Sequence, residues 1–304
     1  MKYAVTGGLG FIGSNIAREL VKKGHKTIII DNFQTSDKTR IVDIKDTIEF
    51  YKIDLRKKTE LENNLRGVDG IFHNAALTDV QKSFEEEEKY HSINVEGTKN
   101  IFDIATKYEI KVIFASSASV YGDTKSTPIN EQFERNPINP YGQTKLENEL
   151  AAESFAKKGL DVIGLRYFNV YGIGQNKAYA GVITRFLKQL DEGKSPKIFG
   201  KGTQVRDFIH VKDVAEANIA AMNSNVKNDF FNIGTGIGTS IIELATMMIK
   251  ISKQKKNPIF EDAVQGDIES SIANIDHAKN ILKWNPKIHL QNGIQELMDN
   301  YQMN

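Results

Sequence analysis

Short apolar runs recur through the first 170 residues, separated by stretches in which apolar and polar positions alternate with helical period. Lys2 to Thr6, Thr27 to Asp31, Ile48 to Ile53, Gly70 to His73, Lys111 to Ser116 and Val162 to Tyr167 are the strand candidates. Several, such as Ile28, Ile29 and Ile30, are apolar without a break. A strand that is apolar on consecutive positions buries both its faces, which is the condition of a parallel sheet covered by helices. Between the runs, Ile12, Ile16 and Leu20 recur at four-residue spacing and stop at Gly24, a natural helix C-terminus, while Ile101, Ile104 and Ala105 mark another helix. Strand and helix in alternation predict an α/β fold with a doubly wound parallel sheet.

After about residue 170 the rhythm loosens. Gly172, Gly174, Gly181, Gly193, Gly200 and Gly202 punctuate shorter elements, and Ser240 followed by Glu243 is a capping-box pattern that starts a later helix. The expected organisation is a dinucleotide-binding domain over 1-170 with a returning segment near 204-236, and a smaller mixed α/β C-terminal substrate lobe from 171-203 and 237-304. The run Glu85 to Glu88 is expected on a solvated loop or helix face.

Composition narrows the function classes. The chain has 304 residues, 40% of them apolar and 26% charged, with 6 Pro, the profile of an ordinary globular protein. Forty Lys and Arg against 39 Asp and Glu leave a net charge of +1, which offers no field for a nucleic-acid backbone, so no nucleic-acid partner is expected. The absence of Cys excludes disulfides, thiolate metal sites and a Cys nucleophile, and fits a reducing cytoplasm. No run approaches the ~18 to 20 apolar residues of a membrane span. The N-terminal segment is cut by Gly7, Gly8, Gly10 and Gly13 and runs into Arg18 and Glu19, which is the pattern of strand, turn and helix rather than of a signal peptide. The six His show no metal-binding spacing, and no metal is expected.

Two patterns carry chemistry. Thr6 to Gly13, TGGLGFIG, lies between the first strand and the first helix, where its glycines let a pyrophosphate approach backbone N–H groups at the positive end of the helix. Asp31 closes the second strand 18 residues after Gly13. A carboxylate there accepts the adenosine ribose hydroxyls and repels a 2′-phosphate, so the expected cofactor is NAD on a Rossmann domain. A second glycine-rich loop, Gly234 to Gly238, lacks that spacing and is read as a turn of the second lobe near the cleft.

The other pattern is Tyr141 and Lys145, four residues apart at the start of a helical stretch after Pro140 and therefore on one helix face. An ammonium beside a phenol favours the phenolate and makes a general base of it. With 10 Tyr and 32 Lys, about one such spacing is expected by chance, and a second occurs at Tyr121 and Lys125. Gly122, Asp123 and Pro128 place that second pair in a loop, which leaves Tyr141 and Lys145 as the catalytic pair. Ser116, Ser117 and Ser119 fall at the carboxyl end of the fifth strand, the edge at which open α/β sheets bind ligands.

At this point the chain resembles the extended short-chain dehydrogenase/reductase family, and within it the nucleotide-sugar epimerase branch. The resemblance runs nearly end to end, through TGGLGFIGS at 6–14, DN at 31–32, HNAA at 73–76, NVEGT at 94–98 and FASSASVYG at 114–122. It continues through PYGQTK at 140–145, LRYFNVYG at 165–172, RDFIHVKDV at 206–214 and FNIGTG at 231–236. It implies an NAD-dependent C4 epimerisation of a UDP-hexose, in the glucose/galactose or N-acetylated series, through a transient 4-keto sugar. Carried over by position, Ser117, Tyr141 and Lys145 are catalytic. Gly7, Gly10, Phe11, Ile12, Gly13, Asp31, Asn32, Asp54, Leu55, Ala75, Asn94, Tyr141, Lys145 and Tyr167 would hold the cofactor. Ser117, Tyr141, Asn169, Arg206 and Asp267 would hold the UDP-sugar. The acid pair or Glu that eliminating and decarboxylating members carry after the catalytic Ser/Thr is replaced by Ala118 and Ser119, which favours epimerisation. The alternatives are a uronate 4-epimerase, for which Arg185 could pair the carboxylate, and a non-catalytic NAD-binding regulator.

Val264 stands where UDP-using members usually carry a diphosphate-binding Arg, which throws the expected load on Arg206. The resemblance also implies a C2 homodimer through the helices near 94–107 and 141–158, whose Ile101, Phe102, Leu146, Leu150 and Phe155 exceed one sheet-facing stripe.

Overall fold

A computed structural model describes residues 1–36, 38–175, 181–263 and 268–301. The strands are β1 Lys2–Thr6, β2 Lys26–Asp31, β3 Ile48–Lys52, β4 Gly70–His73, β5 Lys111–Ser117, β6 Val162–Tyr167 and β7 Asn169–Tyr171. They continue with β8 Lys197–Phe199, β9 Val205–His210, β10 Asn228–Ile233, β11 Gly238–Ser240, β12 Ile259–Glu261 and β13 Ser270–Ser271. The helices of the first half are α1 Phe11–Lys22, α2 Lys58–Leu65, α3 Val80–Glu85, α4 Glu87–Tyr90, α5 Gly97–Lys107 and α6 Pro140–Ala156. Those of the second are α7 Val182–Asp191, α8 Val211–Asn223, α9 Ile241–Ile251, α10 Asp276–Leu282 and α11 Leu290–Tyr301.

Seven strands pair in parallel in the order β10-β6-β5-β4-β1-β2-β3. The unbroken apolar runs are explained by where successive side chains go. Val5 and Ile29 pack on one face against Ile16 and Leu20 of α1 and Val214 and Ala217 of α8. Ala4, Ile28 and Ile30 pack on the other against Leu61 and Leu65 of α2 and Ile101 and Phe102 of α5. The chain reverses direction across the sheet at β1, with β2 on one side and β4 on the other, and the crevice this opens lies at the carboxyl ends of the strands.

Of the segment expected to return near 204-236, α8 and β10 join the large sheet, whereas β9 pairs with β7, β11 and β13 in a smaller one. A separate core of Ile183, Phe186, Leu187, Leu244, Met248, Ile294 and Leu297 binds α7, α9 and α11 together. Helix α10 packs with Trp284 on the large-sheet core instead. Ser240 and Glu243 form the expected capping box of α9. Glu85 to Glu88 span the junction of α3 and α4, with Glu85, Glu87 and Glu88 exposed. Among the described residues no helix is long and apolar enough to cross a membrane, and no cluster of three metal-ligating side chains occurs.

Candidate active site

The glycine loop is built by close approach. Gly7 has φ +65°, and a Cβ on it would lie 2.7 Å from the backbone N and Cα of Ala75. A Cβ on Gly13 would overlap the carbonyl oxygen of Gly7. Gly10 caps α1 without a side-chain hydrogen bond, so the first N–H groups of the helix face the crevice. The Asp31 carboxylate accepts hydrogen bonds from Leu9 N (3.1 Å), Phe33 N (3.0 Å) and the Ser36 hydroxyl (3.2 Å), which aims it across the end of β1.

Two cavities share this loop. One of about 80 Å³ is lined by Gly7, Gly10, Asp31, Asn32, Asp54, Leu55 and Ala75. One of about 360 Å³ is lined by Gly7, Gly10, Phe11, Ile12, Gly13, Ser117, Tyr141, Lys145 and Tyr167. The Asp54 carboxyl is held well below the usual carboxylate range by its hydrogen bonds to Arg56, from Nε and Nη2 at 2.8 Å and from the backbone N at 3.0 Å, with Asn32 Nδ2 adding a fourth at 3.0 Å. Asn74 lies on the wall of both cavities with its buried amide Oδ1 and Nδ2 unpartnered by protein. A buried amide with neither atom bonded is costly unless a polar ligand meets it. These features fit a dinucleotide: glycines whose Cβ positions are blocked, free N–H groups at a helix start, a carboxylate at the strand end and an amide awaiting a partner.

Asn94, expected at the cofactor, is not among the residues that line either cavity. It is fully buried, and its amide binds Leu77 N (2.8 Å), Leu77 O (2.9 Å) and the Thr144 hydroxyl (3.2 Å). These bonds tie the Leu77 segment that lines the cavity to Thr144 of α6.

Helix α6 starts where Asn139 caps Gly142 N at 2.7 Å and Pro140 takes the first turn, and it presents Tyr141 and Lys145 together to the cavity. Ser117 ends β5 opposite them on the same cavity wall, its hydroxyl donating to Ser119 Oγ at 3.0 Å. Burial pushes the Tyr141 phenol up to about 12, with the polar Ser117 side chain nearby opposing the shift. The Lys145 ammonium donates to Ala115 O at 2.8 Å and lies over the Tyr141 ring at 5.8 Å from its centroid. Burial lowers Lys145 itself to about 8, against the opposing charge of Glu149.

Tyr167 joins the cavity wall with its hydroxyl tied to Asn218 on α8, accepting from Nδ2 at 2.8 Å. Asn169 opens β7, and Arg206 lies on the neighbouring β9, in register with Thr239 of β11 and Ser271 of β13. Asp267 and Val264 lie outside the described residues. Arg185 is exposed on α7 and stacks on Phe199 at 5.5 Å, the arrangement of a surface residue. Tyr121 is buried and bonded to Asn232 while Lys125 is exposed in a loop, so that pair shares no face.

The Gly234 loop shows why a glycine-rich turn need not bind phosphate. Its N–H groups at Thr235 (2.8 Å) and Gly236 (2.9 Å) are taken by the fully buried carboxylate of Asp207, which supplies the anion from within the chain. Sequence reasoning missed Arg40, which lines the larger cavity while donating to Leu9 O (3.2 Å) and Gly174 O (2.7 Å). It lies in a polar stretch without periodicity, where no local signal marks it. Asn74 stands inside the HNAA stretch, and that was its signal.

Residues 3–234 match the NAD dependent epimerase/dehydratase family. A putative UDP-glucose 4-epimerase of Methanocaldococcus jannaschii is 38% identical over 300 residues, covering 97% of this chain and 96% of its own. A solved UDP-glucose 4-epimerase of Thermotoga maritima, in complex with UDP-glucose, superposes with a TM-score of 0.94 at 33% identity, over 100% of this chain and 99% of its own. The UDP-N-acetylglucosamine 4-epimerase of Methanobrevibacter ruminantium M1, in complex with UDP-N-acetylmuramic acid, gives 0.95 at 33% identity, over 99% and 98%.

Proposed function

The chain belongs to the NAD dependent epimerase/dehydratase family, and from that premise we propose that it is an NAD-dependent UDP-hexose 4-epimerase, an isomerase of the glucose/galactose or N-acetylated series. The observation that carries this reading is the larger cavity: Ser117, Tyr141 and Lys145 face the glycine loop, and its described lining holds no carboxylate. Elimination across C5 and C6 needs a carboxyl acid and base, whereas inversion at C4 needs one proton-transferring group and a hydride acceptor.

In this reading the large-sheet unit holds NAD, with Gly7, Gly10 and Gly13 at the pyrophosphate, Asp31 and Asn32 at the ribose, and Asp54 and Leu55 toward the adenine. The lobe of 171-203 and 237-304 with Asn169, Arg206 and Asp267 holds the UDP part. Bound there, NAD supplies a reversible hydride acceptor for C4 of the sugar. Tyr141 takes the O4 proton, directly or through Ser117, and returns it after the transient 4-keto sugar has turned over. Ser117 would stabilise the phenolate by turning its hydroxyl from Ser119 toward it, and Lys145 holds the helix turn against β5 while contributing positive charge below about pH 8.

The test is interconversion of UDP-glucose and UDP-galactose, or of their N-acetylated forms, by purified protein without added NADH. Tyr141→Phe should lose several orders of magnitude in rate and still bind NAD; an unchanged rate rules the mechanism out. The proposal includes a cytoplasmic homodimer. Its support has narrowed to Leu150, exposed at 47%, because Ile101 and Phe102 are buried in the chain's own core and Leu146 and Phe155 pack against it. A light-scattering mass of a monomer at micromolar concentration decides against it.

A further inference from the structure

One turn beyond Lys145 on α6, Glu149 is fully buried and its carboxylate is surrounded by donors. Oε1 accepts from the Ser116 hydroxyl (2.6 Å) and Arg166 Nε (2.9 Å), and Oε2 from Arg166 Nη2 (2.8 Å) and Arg135 Nη1 (3.0 Å). Arg166 is itself pinned, with Nη1 donating to the Tyr121 hydroxyl (2.7 Å) and Glu131 O (3.1 Å). Arg135 also reaches Glu153 at 2.9 Å. The register of the sheet gives this cluster its meaning. Ser116 pairs with Arg166 across β5 and β6, and the next rung pairs Ser117 with Tyr167. Successive strand residues point to opposite sides. One rung therefore grips Glu149 while its neighbour faces the cavity, and the same helix carries Tyr141 and Lys145.

We propose that Glu149 is a positioning residue for the reaction: its carboxylate, clamped by Ser116, Arg166 and Arg135, locks the catalytic turn of α6 to the β5–β6 rung beside the cavity and is the buried negative charge one helical turn from Lys145. The inference rests on the proposed epimerase reading for its catalytic consequence, and for its effect on Lys145 on the placement of a buried carboxylate one helical turn away, whose charge opposes the downward push of burial on that amine. A local dielectric below that of water makes the charge felt at one helical turn, where an opposite charge favours the ionised amine.

Other ionisable groups border the same turn. Tyr141 lies on α6 itself, Tyr90 on α4, His73 on β4, and Arg166 and Tyr167 on β6. Burial lowers His73 to about 3, leaving it neutral near pH 7. On the outer side the His91 ring lies 3.1 Å from Glu147 and Lys99 pairs with Glu96 at 2.9 Å, while Lys82 and Glu85 of α3 are exposed.

The test reads Lys145 directly, by NMR of protein carrying lysine labelled at Nζ with a heavy nitrogen isotope, the signal being identified by its loss in Lys145→Arg. In the wild type the signal titrates near 8. In Glu149→Gln it moves down by about one pH unit or more. In parallel, kcat at neutral pH falls at least about tenfold with little change in KM, and Glu149→Asp recovers much of both. A folded Glu149→Gln protein with an unmoved Lys145 titration overturns the proposal. Should that variant fail to fold, Arg135→Gln decides, since Arg135 is a partly exposed cation beside Glu149. Its removal moves the Lys145 titration upward, and an unmoved or lowered titration overturns the proposal. The NMR readout needs no turnover. A wild type that titrates as described and fails to interconvert UDP-glucose and UDP-galactose refutes the proposed function and leaves the role of Glu149 at Lys145 standing.

Discussion

His73 links acid stability to the cofactor wall. It ends β4, is buried, and bridges two hydroxyls, with Nδ1 2.6 Å from Thr6 Oγ1 and Nε2 2.8 Å from Thr98 Oγ1. The proton positions follow from the neighbours. Thr98 already donates to Asn94 O at 2.5 Å, so it accepts from Nε2–H; Thr6 accepts from Ala75 N at 3.4 Å and donates to an unprotonated Nδ1. Burial, with the nearby Lys145 charge adding to it, lowers His73 to about 3 from the ordinary 6.5. A His depressed in the folded state binds its proton more tightly when unfolded. Its contribution is therefore complete above about pH 6.5 and is lost as pH falls toward 3. At about pH 5, one and a half units below the ordinary value, the loss is about 2 kcal/mol at 1.36 kcal/mol per unit. Urea unfolding of wild type and His73→Gln at about pH 7 and pH 5 measures it. The variant cannot titrate there, so its stability should fall by about 2 kcal/mol less than the wild type's over that interval, the contributions of His25 and His210 being common to both. Parallel pH dependences, within about 0.5 kcal/mol, would refute the assignment of a neutral, buried His73.

Gly13→Ala should push its new methyl into the Gly7 carbonyl and displace the phosphate-facing loop; at about 1 to 3 kcal/mol of overpacking, NAD affinity measured by calorimetry falls tenfold or more. Asp207→Asn should cost about 3 kcal/mol in urea unfolding at neutral pH, because the buried carboxylate accepts from Thr235 N and Oγ1, Gly236 N and Ala273 N and the amide would turn a donor toward them. Arg206→Ala should nearly abolish UDP binding and Val264→Arg should tighten it; an Arg206→Ala loss of less than about tenfold, with Val264→Arg neutral, removes the diphosphate from this strand.

The sequence by itself determined those features whose cause is local in the chain. Unbroken runs such as Ile28 to Ile30 required burial on both faces, and the sheet supplies two helical layers to do it. Gly7 to Gly13 marked a turn that side chains would block, and Pro140 with the four-residue spacing of Tyr141 and Lys145 set both on one helix face. What the tertiary structure decided is which of these local features meet. The Gly234 loop has the same local freedom as the Gly7 loop, and only the pairing of β9 brings Asp207 to fill it. Asn94 carries the right chemistry for a ligand, and packing spends it on Leu77 and Thr144. Glu149 reads in sequence as one more acid on a helix rich in charged and polar residues. It becomes the centre of a buried cluster only because the β5–β6 register sets Ser116 beside Arg166, under the turn that α6 lays across them. Backbone conformation follows from near neighbours and is written in spacing, whereas the partners of a buried polar group come from strands brought together by crossovers of tens of residues, whose register no local pattern specifies.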